Sequence, residues 1–534
     1  MLIRRHGGPT AAAEVYAVKA YNLIQTNLDH PSLPDIQALC LLIIHEWGSR
    51  NAVRAYILLG QASRMLHMYR VLNSHHAEPD QFLRDESFRR TLWLIYILDC
   101  LLTSTPGRYP ALSIPDTAEV SLPCSDINFA FGNAVHVRTL AQQLDPARQG
   151  LIAASSGDIG EFGYIVLSAT IWRDVVHMLS STPLQNFREE ACLDLMNQIE
   201  GLRASLPMQF VDKPGQINLH MTMGSGYTFA MLHCLLHCSN ILLHRRRLLQ
   251  EVTATTFNLE SFRVSAKAHE IVDRLLTSCH GIISLLTAVE AGSEKDHPPC
   301  FPIFMLFASF TASATVAYLS LKGLTPQTAT ETAAHIVEDG LKFMSDGNEK
   351  WPLMGSWLRH LGVMQRVLAN DANNAHASRH NSSAPPAIKD EVSPNADTTG
   401  DAMDYDNQGA PGGTPAQHGP LPAPRPLSDA PRDGSEPPMT IPRRPGGITT
   451  INGNSGGAST PGTVSPPPAG PQYQPAYNPD TKQLSPDMQS NGMAAPQEPQ
   501  QPAGQDMTGP ELCDVFERQL LEMDDLAAFM GGGV

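Results

Sequence analysis

The sequence predicts an all-α fold: an irregular multi-helix body followed by a long disordered tail. Three observations carry this. Apolar residues recur at helical spacing between recognisable caps over the first 370 residues or so. Alternating polar–apolar stretches of the kind that build strands are almost absent. Beyond Asn370 the chain turns to Pro, Gly, Ala, Ser, Gln, Asn and Asp, with too few large apolar side chains to offset the entropy of ordering. The expected division is a helical body over 1–370, a disordered linker over 371–509 and an acidic amphipathic segment over 510–534.

The elements justify themselves in order. Ser32-Leu33-Pro34-Asp35 has the spacing of a capping box, with Pro where a missing N–H does no harm. The apolar run Ile36 to Ile44 follows, and Gly48 is a natural stop. Val53, Tyr56, Leu59, Leu66 and Tyr69 carry a second helical period. A third helix starts at Asp80, with Asp85/Arg89 and Glu86/Arg90 as i,i+4 pairs, and continues through Thr91 to Leu102, apolar nearly all round and so buried. Further helices are expected near 158–180, 187–204, 221–250, 259–291, 301–322, 327–346 and 351–369. Together they imply a bundle or irregular helical array.

The 534 residues suffice for a sizeable core without disulfide staples. A net charge of −16 argues against a chain that holds nucleic acid by itself, since that affinity comes largely from Lys and Arg on phosphates. Nine cysteines are scattered with no CxxC pair, most of them in apolar runs, and read as buried thiols in a reducing compartment. The N-terminal MLIRRHGGPT has arginines but no apolar stretch behind them, which is not the pattern of a signal peptide. Phe301 to Leu321 is uncharged and approaches spanning length, yet its Pro, Ser and Thr content suits a central helix buried by its neighbours, and no membrane partner is expected. GxSxG, GxxxxGK[ST], HExxH and GxGxxG are missing, so the chain does not read as an enzyme.

Pro34 to Gly132 holds a series of short motifs: Asp35-Ile36-Gln37-Ala38-Leu39, Gly60-Gln61-Ala62-Ser63-Arg64-Met65, Phe88-Arg89-Arg90-Thr91-Leu92-Trp93, Tyr96-Ile97-Leu98-Asp99, Gly107-Arg108-Tyr109-Pro110, Leu122-Pro123-Cys124-Ser125 and Phe131-Gly132. Leu243-His244-Arg245 and Lys350-Trp351-Pro352 follow downstream. In this order they resemble the fungal-specific transcription factor domain, the middle homology region of zinc-cluster regulators. Arg-Tyr-Pro stands where that family has Arg-Pro, and Gly60 lacks the usual glycine context. The resemblance implies a nuclear regulator of RNA polymerase II-type transcription with a helical regulatory domain. It also implies zinc-dependent DNA binding through an upstream six-cysteine cluster, whose spacing none of the nine cysteines shows. The resemblance starts near residue 11, leaving no room for that cluster within this chain. A truncated gene model, a partial chain and a member without DNA-contacting residues all stay open. No cofactor is expected in the chain itself, and DNA contact is expected only through a missing or separate zinc cluster. The alternative is a DNA-binding-deficient partner or competitor acting through protein contacts, with homodimerisation through helices.

Within the motif core, Arg64, Arg90, Trp93, Asp99, Gly107, Arg108 and Pro110 stand out. A small-molecule or inhibitory-contact site is one reading; a buried pair joining helices, Asp99 with Arg108 or Arg64, is the expected one. His233 and His237 share a helix face beside Cys234 and Cys238, a metal-like spacing, but they sit in the apolar run Met231 to Leu243 and read as core. Arg245-Arg246-Arg247 is expected to end its helix, facing the negative dipole end, with nuclear import as a secondary reading. In the linker, Lys389 lies in an Ile-Lys-Asp-Glu setting similar to sumoylation sites, and Ser393, like Ser465, Ser485, Thr414 and Thr460, precedes proline as a candidate phosphate acceptor.

The closing segment interleaves six acids with bulky apolar residues from Glu511 to Met530. Acids there are expected to hold Phe516, Leu520, Met523, Leu526 and Phe529 in water until a coactivator groove takes them as a helix. The other reading is a helix docked on its own body.

Overall fold

Helices begin where the sequence offers caps. The computed structural model describes residues 8–73, 81–144, 159–293, 299–382 and 509–531, with side chains up to residue 370 and from residue 510. After α1 (Pro9–Thr26), Ser32 opens α2 (Leu33–Gly48): the Asp35 backbone N–H donates to the Ser32 hydroxyl at 3.3 Å, and that hydroxyl donates to the Asp35 carboxylate at 2.6 Å. The helix stops at Gly48 for a packing reason. A Cβ there would lie 2.1 Å from the Trp351 indole, so the end of α2 can meet the late Trp-Pro segment only as glycine. Arg50, at φ +68°, then turns the chain into α3 (Ala52–Asn73).

In α4 (Gln81–Leu102) the expected charge pairs rearrange. Arg90 reaches Glu86 at 3.0 Å, as its spacing suggests, but Arg89 turns to Glu86 at i,i+3, and Asp85 accepts from Gln81 instead. Glu86 is fully buried, so it collects donors that half-buried Asp85 can leave to water. Single turns α5 (Ile114–Ala118), α6 (Asp126–Ala130) and α7 (Leu140–Leu144) lead to α8 (Glu161–Ser181). Among the described residues there is no strand, only isolated bridges at Ser121–Thr139 and Cys124–Ile159. The second explains Gly160, whose added Cβ would fall 2.1 Å from the Cys124 carbonyl.

The second half comprises α9 (Glu189–Ser205), α10 (Gln216–Thr222), α11 (Gly226–Val252), α12 (Leu259–Val264), α13 (Ala266–Gly292), α14 (Ile303–Leu321), α15 (Thr330–Asn348) and α16 (Met354–Ser382). The single helix expected near 259–291 is two. Ser265 takes an extended conformation and its hydroxyl accepts from the Ala268 N–H, closing α12 and capping α13. α16 continues well past Asn370, so the start of the expected disordered stretch is helical; the rest, with Lys389, Ser393 and the other proline-directed sites, lies outside the described residues.

The core centres on α14. Every residue from Ile303 through Leu319 is buried, against α11, α13, α15, α16 and α17 (Gly509–Glu522). Three helices of the described residues are long and apolar enough to cross a bilayer by composition alone, and this is the most apolar. Two of its hydroxyls are used internally, Thr315 donating to the Thr311 carbonyl at 2.7 Å and Ser313 to the Ile336 carbonyl at 3.0 Å, whereas Ser309 Oγ and Thr311 Oγ1 are buried without a partner.

Candidate functional site

The C-terminal segment, expected in water, lies in the core, within the same compact unit as the body. Leu512, Phe516 and Leu520 repeat every fourth residue and face inward from α17. A break follows at Met523, φ +59°, and α18 (Asp524–Phe529) completes the segment. The break decides what the segment can bury. On a continuous helix Phe529 would sit roughly 100° off the Leu512 face, by the rotation per residue. A left-handed residue costs a non-glycine about 1 kcal/mol or more; here it turns Leu526 and Phe529 into the same core.

Phe529 is fully buried in an aromatic nest. Its ring centroid is 4.2 Å from that of Phe307 and 4.8 Å, edge-on, from Trp47, with Trp172, Phe304 and Trp357 farther round. The Trp47 indole N–H donates to the Phe529 carbonyl at 2.8 Å. Trp47 lies in α2, so the motif-bearing helices and the end of the chain share one core. His360 meets Phe516 edge-on at 4.6 Å, and burial pulls its pKa down to about 4.

Two acids are also drawn in. Glu517 accepts from Lys322 at 2.7 Å and from the Tyr318 hydroxyl at 2.9 Å. Asp525 pairs with Arg245 at 2.7 Å, with both side chains under a tenth exposed, while its Oδ1 has no partner. On an unbroken helix Asp525 would face solvent, so the Met523 break also hid this pair from a sequence reading.

The three arginines do not end their helix, because α11 runs on to Val252, and all three are buried rather than forming an exposed basic cluster. Arg245 takes Asp525, and Arg247 takes Glu189 at 2.9 Å and Glu270 at 3.2 Å. Arg246 donates to the Thr182 carbonyl and lies over the Phe187 ring, its Nε has no partner, and burial lowers its pKa. The histidines of this helix are hydrogen-bonded core. His233 donates to the Phe210 carbonyl at 2.9 Å, and His237 bridges Arg203 and Asp212. Burial raises the Cys234 and Cys238 thiols, which keeps them protonated. Of the nine cysteines, eight are buried free thiols, and this set does not fit a six-cysteine zinc cluster, which needs clustered thiolates.

The motif core does not converge on one site. Arg64 is exposed. Arg90 joins Glu86, Asp126 at 2.7 Å and the Cys124 carbonyl at 2.9 Å, over the Phe129 ring. Trp93 is fully buried and donates to the Ser121 carbonyl at 2.9 Å. Asp99 pairs with neither Arg108 nor Arg64: it accepts the Ala111 and Leu112 backbone N–H groups, each at 3.0 Å, and burial pushes its pKa up to about 6. Gly107, at φ +82°, and Pro110 are exposed in the loop so anchored, and Arg108 stacks over Tyr56. Arginine is unnecessary here because two oriented amides already hold the carboxylate.

Residues 6–181 match the family model of the fungal specific transcription factor domain. The Zn(2)-C6 fungal-type transcription factor FTF1c of Fusarium oxysporum f. sp. lycopersici is 23% identical over 71% of this chain and 41% of its own length. FTF2 of the same organism is 22% identical over 51% of this chain and 28% of its own. An uncharacterized transcriptional regulatory protein of Schizosaccharomyces pombe is 28% identical over 25% of this chain and 21% of its own. The chain thus spans about two fifths or less of these relatives. No solved structure matches it.

Proposed function

We propose that this chain, which carries a fungal specific transcription factor domain over residues 6–181, is a nuclear regulator of RNA polymerase II transcription whose body holds its own activation segment in reserve. The observation that supports this is the double use of one apolar face. Phe516, Leu520, Leu526 and Phe529, flanked by acids, are what a coactivator groove would take as a helix, and the fold spends them on its own core. Output then requires the segment to leave Trp47, Arg245 and Lys322.

The test compares fusions to an unrelated DNA-binding domain. Residues 505–534 alone are expected to activate a reporter strongly, and the full chain weakly. Trp47→Ala in the full chain, which removes the indole from the Phe529 nest, is expected to raise its output toward that of the isolated segment. An inert isolated segment would sink the proposal.

The net charge of −16 favours a second reading, a partner or competitor of DNA-binding relatives through protein contacts. Titration with duplex DNA at moderate salt tests this second reading. Tight binding excludes the competitor, and no binding leaves DNA contact to another zinc-bearing module.

A further inference from the structure

Between the body and the C-terminal segment lies a cleft of about 550 Å³, within the size range of small-molecule sites. One wall is the family-matching region, with Ser104, Leu179 and Ser180; the other is the broken segment, with Leu521, Met523 and Leu526. Arg246 lies in its lining, only 5% exposed. Its neighbours Arg245 and Arg247 are neutralised by carboxylates, whereas its own contacts are a carbonyl and a ring. A buried charge without a counter-ion is costly, and an unmade hydrogen bond adds to that cost. Two buried polar atoms of the lining residues lack partners: Arg246 Nε and Ser180 Oγ. The acid in the lining is Glu522, which is exposed and forms no ion pair with Arg246 within 4 Å.

We propose that this cleft binds a small apolar monocarboxylate, its carboxylate on Arg246 and Ser180 and its hydrocarbon body against Leu184, Leu521 and Leu526. One uncompensated guanidinium calls for one negative charge, and the surrounding leucines exclude a strongly hydrated polyanion. Because Leu521, Met523, Leu526 and Ala527 form one wall, an occupant touches both sides of the Met523 break and stabilises the docked segment by its binding free energy. The site itself does not depend on the regulatory reading above.

The test uses the full chain with octanoate, its neutral counterpart octanamide, and inorganic phosphate, followed by calorimetric titration and melting temperature. Octanoate is expected to bind saturably and raise the melting temperature, while octanamide and phosphate do neither. Arg246→Gln is expected to weaken octanoate about ten- to hundredfold, the range for losing a hydrogen bond to a charged group. Ala527→Trp, which fills the cleft and leaves the arginine in place, is expected to abolish binding. Equal responses to octanoate and octanamide, undiminished binding by Arg246→Gln while Ala527→Trp also binds, or phosphate binding without octanoate would each overturn the assignment. So would the absence of any saturable response, which leaves the cleft to water. Reporter output plays no part in these outcomes.

Discussion

Two buried acid–arginine junctions hold this molecule, and they are finished differently. Within the motif-bearing helices, Glu86 accepts from Arg89, Arg90 and the Cys124 N–H, and Arg90 goes on to Asp126 and the Cys124 carbonyl. Between α11 and the C-terminal segment, Asp525 meets Arg245 through one oxygen and leaves the other bare, and Arg246, the next residue of α11, has an unpaired Nε of its own. The first network is closed, and a closed network is hard to enter without breaking several bonds at once. The second leaves donors and acceptors unspent, so its state depends on what else is present. Permanence and adjustability lie in the same fold, set by how completely the polar groups are paired.

A matched pair of amide substitutions tests that contrast. Glu86→Gln places an amide N–H against arginine and backbone donors and is expected to cost about 3–5 kcal/mol of global stability, as for breaking a buried ion pair. Asp525→Asn keeps one acceptor for Arg245 and turns its amide toward a space without a partner, so about 1–2 kcal/mol is expected. Urea unfolding measures both, and equal costs would erase the distinction. Hydrogen exchange locates them: Asp525→Asn is expected to loosen α17 and α18 while α2 to α4 stay protected.

A pH dependence tests the same contrast from the titrating groups. Burial pulls His233, His244 and His360 from 6.5 to about 4, so between those values the unfolded chain binds more protons than the fold. Their stabilisation is whole above pH 6.5 and drains as pH falls toward 4. Asp99, raised from 3.8 to about 6, acts the other way, its contribution complete below 3.8 and lost as pH rises through 6. Three histidines against one aspartate give a net loss of stability on acidification, visible in melting temperatures from pH 7 to pH 4.5. His360→Phe, which keeps an aromatic edge for Phe516 and removes the proton site, is expected to spare α17 from opening at pH 5. Unchanged α17 exchange in that variant would assign the acid effect to the other histidines.

The all-α body was legible because helix starts, apolar periods and the inward face of α17 are local properties: Ser32 caps α2, and Leu512, Phe516 and Leu520 share the face their spacing gives. What was not legible involved distant partners. Asp99 is held by backbone amides, which carry no signature in the side-chain alphabet. Arg245 to Arg247 looked like a helix end because their acids lie far off in sequence, at Glu189, Glu270 and Asp525. Met523 announced no break, since nothing about methionine favours a positive φ; the Trp47 nest imposes it.

The place of Phe529, long after its ring partners in the sequence, also sets a schedule. Trp47, Trp172, Phe307 and Trp357 are all synthesised before the ring that fills the space between them. At about 5–20 residues per second, the ribosome takes roughly ten to thirty seconds to pass from Trp357 to Phe529. Throughout that interval the nascent body has an apolar cavity open to chaperones, to water and to the edges of other chains. A message cut short anywhere in that stretch yields a protein with a hole at its centre, so the ring that closes the core also certifies that translation reached it.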